Sequence, residues 1–248
     1  MKSQRRKYLF MAMAIAMLIF NSINLLAQEK DGLFTKDSLT VMSEHLNNTE
    51  GKAFKLFLKY PEKVNAVLGK DKAQYLLRKS IYEVYFKGVD PNKKPDFEWS
   101  KLKNTMKSKF GEIGLETLYS KQMMYYLEAK DWGNFGKYYV LYFEKALKRP
   151  EYDINNLNWV LFENVSDPKV LKFACDVVMK YAMEEWYQND FQTMDTYANL
   201  LYKTGQKEKA IEWEAKAVKL SNNNKEIVET LEKMQRNEKT WVEKTVNP

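Results

Sequence analysis

The sequence predicts an all-α protein built of stacked helical hairpins, and three observations predict it. Glycine and proline are scarce, nine and six in 248 residues, and they fall where helices should stop rather than between paired strands. Apolar residues recur at helical spacing over long stretches, the period of a rod with one buried face. The segment 195–221 reads as a helix ending near Gly205, a turn, and a second helix carrying Ala210 and Ala217. Small side chains there and at Ala198 let two helix axes approach closely, while Tyr197, Leu201, Ile211 and Val218 supply the apolar seam.

Roughly ten helices follow from the same periodicity. Asp37-Ser38 reads as the cap of a first short helix towards Leu46, and 51–60 as a second, stopped by Pro61. An amphipathic stretch over 71–86 gathers Tyr75, Leu76, Ile81, Val84 and Tyr85 before Gly88. The run 89–95 is the clearest loop. Asp96 is placed to cap a helix through Phe110 with Trp99, Leu102, Met106 and Phe110 on one face, and 111–130 gives the next. Helices over 132–147 and 154–164 follow, the second capped by Asp153. Ser166-Asp167-Pro168 is a cap followed by a first-turn proline, opening a stripe of Val170, Leu171, Ala174, Val177, Val178 and Tyr181. The last helix, from Lys225 to about Trp241, sets Ile227, Val228, Leu231 and Met234 on one face and reads as the cap a helical stack needs.

The beginning of the chain has the layout of a secretory leader. Lys2, Arg5, Arg6 and Lys7 precede an apolar run over 8–20, and Ala27 stands where cleavage would fall. The predicted division is a signal peptide over 1–27, an N-terminal helical region over 28–131, and a helical-repeat region with its capping helix over 132–248. The address is periplasmic or secreted, with no stable membrane anchor after cleavage. Charge supports reading the basic excess as targeting. The chain has 40 Lys+Arg against 33 Asp+Glu, or +7, but residues 1–27 hold four of the bases and no acid, leaving 36 against 33 beyond. No clustered basic face stands out, which argues against nucleic acid as a partner.

Most catalytic chemistry lacks its residues. Cys175 and His45, one of each type, cannot assemble a zinc centre, and no loop spaces oxygens for calcium. No cofactor is expected. No serine elbow or glycine-rich phosphate loop occurs. Paired carboxylates distant in sequence stay open at this point. Cys175 lies on an apolar stripe and reads as a small buried hydrophobe; His45 reads as exposed or helix-ending.

The segment Asn155-Asn-Leu-Asn-Trp159-Val-Leu-Phe-Glu-Asn164, with Lys169-Val-Leu-Lys-Phe-Ala174 and the run from Asp195 to Gly205, resembles a known arrangement. It is similar to the tetratricopeptide-like C-terminal helical region of exported bacterial thioredoxin-family proteins. The likeness is specific over 157–220 and only one of helical layout over 34–132. No thioredoxin domain or Cys-x-x-Cys pair accompanies it here, so redox activity is not implied. A short tetratricopeptide-like superhelix is implied, with Ala174 and Ala210 standing 36 residues apart, near one repeat. Taking Ala210 as the family's central alanine puts groove positions at Gln192, Asp195, Asn199 and Tyr202. One unit earlier they fall at Asn156, Trp159 and Glu163. Asp195 stands where a carboxylate clamp would need lysine, which disfavours capture of a free C-terminus. The resulting expectation is a non-enzymatic, exported protein that binds a protein or peptide partner, with a thioredoxin-fold protein among the candidates, in a concave groove. A glycan-binding helical surface protein, or an accessory factor to an envelope thioredoxin-like thiol-disulfide system, are the alternatives.

Overall fold

The computed structural model describes residues 32–93 and 97–243. Helices, turns and loops account for all of them, and no strand occurs among the described residues, so the chain is all-α. The leader read at 1–27 and the cap assigned to Asp96 lie outside the described residues. The chain forms two compact units that divide after Lys87.

The described residues of the first unit include α1 (Lys36–Glu44), α2 (Lys52–Lys59), α3 (Pro61–Leu68) and α4 (Lys72–Tyr85). Its core is Leu39, Phe54, Phe57, Val64, Leu77 and Ile81, all buried. Thr35, rather than Asp37-Ser38, caps α1, its hydroxyl accepting the Ser38 N–H at 3.3 Å. Pro61 does more than stop α2. A proline at the first helical position sacrifices a donor that has no partner there anyway, so the same residue opens α3, which the periodicity did not reveal. Asn65 then organises the entry to α4, accepting the Ala73 N–H at 2.8 Å and donating to Gln74 at 2.9 Å. His45 sits exposed at the end of α1, with its N–H on the Met42 carbonyl.

The second unit begins with α5 (Trp99–Glu128), a single rod bent at Gly111, where φ is +60° and ψ −135°. That is the point where the sequence divides two helices, and only glycine takes those angles without strain. The bend brings Gly114 against the preceding turn, so a Cβ there would lie 2.4 Å from the Met106 carbonyl oxygen. α6 (Trp132–Ala146) packs along α5. Buried Glu116 of α5 meets Arg149 at 3.1 Å, just past the end of α6, and Ser120 bonds the Tyr152 hydroxyl at 2.7 Å. The sequence boundary at 131/132 therefore runs between two helices that share one interface.

Two hairpins follow. α7 (Ile154–Asn164) is capped by Asp153, whose carboxylate accepts the Asn156 N–H at 3.0 Å. Its return rod runs through α8 (Pro168–Phe173), a π-helical turn (Ala174–Met179) and α9 (Lys180–Glu185). Asp167 and Pro168 open that rod as the sequence indicates. The π turn inserts extra residue into the coil and rotates the stripe after it. Val177, expected on the buried face, is consequently exposed, whereas Ala174 and Val178 are buried. The second hairpin is α10 (Phe191–Lys203), capped by Asp190, and α11 (Lys207–Leu220). Ala198, Ala210 and Ala217 have no solvent exposure; Tyr197 and Leu201 are buried, and Ile211 and Val218 half-buried. The closing helix α12 (Lys225–Gln235) ends earlier than expected, because Asn237 adopts a left-handed φ of 58°. The chain then turns back, placing Trp241 edge-on to Phe162 and Tyr202.

α10 lies against both α7 and the π turn. At its end Lys203 donates to the Phe162 carbonyl and, at 3.1 Å, to the Val165 carbonyl, satisfying the open C-terminal end of α7. Among the described residues no helix is long and apolar enough to cross a membrane. Replacing Gly114 with alanine should lower stability by about 1–3 kcal/mol, since the new methyl meets backbone that cannot yield. Thermal unfolding of the variant measures this directly.

Candidate functional site

The second unit holds a cleft of about 450 Å³ where three helices converge. The first turns of α7 supply Asn155, Asn156 and Trp159; the first turns of α10 supply Phe191, Gln192, Asp195 and Thr196. The third wall is α12, through its cap Asn224 and then Glu226, Ile227 and Thr230. The aspartate caps of α7 and α10 give both helices the same kind of entry. Trp159 leans on Phe162, 5.4 Å between ring centres, and remains 36 % exposed.

Four of the seven residues expected in a groove meet here: Asn156, Trp159, Gln192 and Asp195. Glu163 is exposed but lies beyond the lining, nearer the far end of α7. Asn199 and Tyr202 are corrections. Both are buried, because α10 is covered on that side by its neighbours. Asn199 donates to the backbone and side-chain oxygens of Asp195, at 2.9 and 2.8 Å, so it braces the cleft from behind. Tyr202 donates its hydroxyl to the Met234 carbonyl at 3.3 Å and acts as a strut to the last helix. The contribution of α12 was missed, since a capping helix reads only as cover. So was Glu214, whose setting in Glu-Trp-Glu-Ala-Lys looks like a solvated face.

Glu214 is fully buried on α11. Its two oxygens meet no hydrogen-bond donor among the described side chains, and the group it faces is the carboxyl of Asp195. Two facing carboxyls withdrawn from water resist ionising together. Burial raises both above the usual carboxylate range; repulsion from Asp195 adds to the rise at Glu214, and Glu226 adds to it at Asp195. One wall of the cleft is thus backed by a pair of facing carboxyls that burial holds towards their protonated forms.

Cys175 is buried 3.8 Å from the Gln206 amide, and burial pushes its thiol up to about 12. No group of three or more histidine, cysteine, aspartate or glutamate side chains could hold a metal ion among the described residues. Comparison with known proteins gives no match: no family model, curated protein or solved structure matches the chain.

Two outcomes follow. A carboxyl raised by folding binds its proton in the native state and loses it in the unfolded one, so stability falls as pH rises above the ordinary glutamate value of 4.5. Urea unfolding from weakly acidic to alkaline pH should show that decline, and Glu214→Gln should flatten it and be the more stable protein at the alkaline end. Cys175 should resist an aromatic disulfide reagent in the native protein and react at once in urea, as followed by absorbance.

Proposed function

We propose that this chain is a helical-repeat binding protein that holds an extended segment of a protein partner in the cleft between α7, α10 and α12. The observation that carries this reading is the lining itself. Amide side chains from two helices, a threonine from each of two, and one exposed indole face the same space. Extended peptide presents unpaired N–H and C=O groups along its length, and side-chain amides can donate to one and accept from the other. The tetratricopeptide-like arrangement is part of the proposal, supported by two successive hairpins with aspartate-capped first helices.

Holding, rather than transforming, suits the chemistry of the lining, which among the described residues includes neither histidine nor cysteine. The basic and apolar layout of residues 1–27 supports export to the cell envelope as the setting. A thioredoxin-fold partner would have to be met by docking, because the buried Cys175 thiol is poorly placed for exchange. The glycan alternative draws on a smaller cleft of about 200 Å³ lined in part by Trp99, Tyr119 and Tyr138. Its rings serve one another instead of forming a platform: Tyr138 stacks on Tyr126 at 5.4 Å and 4°, and Trp99 meets Tyr125 edge-on at 84°.

Panning a random dodecapeptide library against the full chain tests the reading. The expected result is a set of sequences that bind wild type and fail on the double variant Trp159→Ala/Gln192→Ala. Those two side chains are exposed enough to remove without loss of folding, which circular dichroism checks. Equal binding to both proteins would overturn the cleft as the site.

A further inference from the structure

The chemistry of the cleft specifies its guest further, on the footing of the peptide reading just given. The unpartnered buried atoms at this place are all acceptors: Asn155 Oδ1 on the cleft wall, and Oε1 and Oε2 of Glu214 behind Asp195. Glu214 is fully buried, with its carboxyl turned onto the residue that lines the cleft. Asp195 brings its own carboxyl, held by the Asn199 amide at 2.8 Å, and Glu226 brings a third from the first turn of α12. Among the described residues no lysine or arginine lines the cleft to balance them.

An acceptor left without a donor away from water is unfavourable, and several gathered in one place favour a guest rich in N–H groups. The guest should also be charged, because a cation compensates desolvated carboxyls where a neutral donor does not. A metal ion is the wrong kind of cation: these acids, on three different helices, form no group close enough to coordinate one among the described residues. A cation on a flexible stem suits the geometry better. Ammonium and guanidinium heads offer only donors, and their methylene stems lie well along apolar surface such as the Trp159 ring. Trp159 also offers a face for a cation–π contact.

We propose that the cleft receives a lysine or arginine side chain of the bound segment. Its head donates to Asp195 and Asn155, and its stem lies along Trp159. The peptide backbone on either side is left to the amides of Asn156 and Gln192. The partner is thus recognised through a basic residue in an extended stretch.

The test uses peptides enriched on the full chain as described above, made synthetically and titrated calorimetrically. Each lysine is replaced in turn by norleucine and each arginine by citrulline, which keep the length and remove the charge. One basic position per peptide should lose about tenfold or more in affinity, the scale of a charge-assisted hydrogen bond in a desolvated site. Asp195→Asn should weaken the parent peptides to a similar degree and leave the neutral ones unaffected. Because the peptide substitutions leave the protein untouched, they decide the matter even if Asp195→Asn does not fold. Peptides that need Trp159 and Gln192 but tolerate neutralisation at every basic position would overturn the basic anchor and leave the peptide cleft standing. Binding that ignores Trp159 and Gln192, or a library with no enriched sequence, would overturn the cleft reading and the anchor with it.

Discussion

The close packing of α10 on α11 is the constraint on which the site depends. Ala198, Ala210 and Ala217 remove the side-chain bulk that would hold the two helices apart, and all three have no exposure. Once the axes are that near, whatever faces inward from either helix is withdrawn from water. Thr193, Thr196, Leu200 and Leu201 accept this readily. Glu214 does not, and the nearest group able to share its position is the Asp195 carboxyl. The protonation of the pair is therefore a result of helix spacing, and any change that opened the hairpin would admit water and return both acids to ordinary behaviour.

The cleft is placed by the same packing from a second direction. α10 touches α7 along one side, and Lys203 fastens the end of α7 through two carbonyls. Tyr202 fixes the other side to the C-terminal segment through Met234 and Trp241. Both residues lie near the far end of α10, away from the lining. The cleft walls are thus held in part by ties remote from the cleft, which leaves several of the lining side chains open to solvent. Asn156, Gln192 and Trp159 are exposed or half-exposed for that reason, whereas the side chains doing the fastening are buried or part-buried.

Much of this was legible in the residues, and the failures have physical causes. Cap chemistry located α7 and the rod beginning at Pro168 well, because an aspartate side chain meeting an N–H two or three residues on is a local event. The alanine spacing found the hairpin for a similar reason. Asn199 and Tyr202 were misplaced because a repeat register specifies which face of a helix a residue occupies, not whether a later segment covers that face. The chain after Asn237 does so for Tyr202, by a return that begins at a left-handed residue no periodicity marks. Glu214 was invisible because glutamate in a charged helix is nearly always solvated. Pro61 was read as an end and proved also a beginning, since proline gives the same signal to either side. Asn156, Trp159, Gln192 and Asp195 line the cleft because they stand near the starts of α7 and α10, where the two helices lie open.

The π turn at Ala174–Met179 has a bearing on how the second unit tolerates change in length. A coil of this kind carries surplus backbone within one turn, while the residues on either side keep regular α geometry. Loss of a single residue there would convert the turn to ordinary α-helix and swing everything C-terminal to it by about 100° around the axis. Ala182 and Met183, now buried, would rotate outward, and the Tyr181–Trp186 edge contact would be carried round with them as a unit. Shortening the chain by one residue in the loop after Trp186 would impose no such rotation. The return rod of the first hairpin is therefore a phase setter, and its length in residues matters more than the identity of most of them.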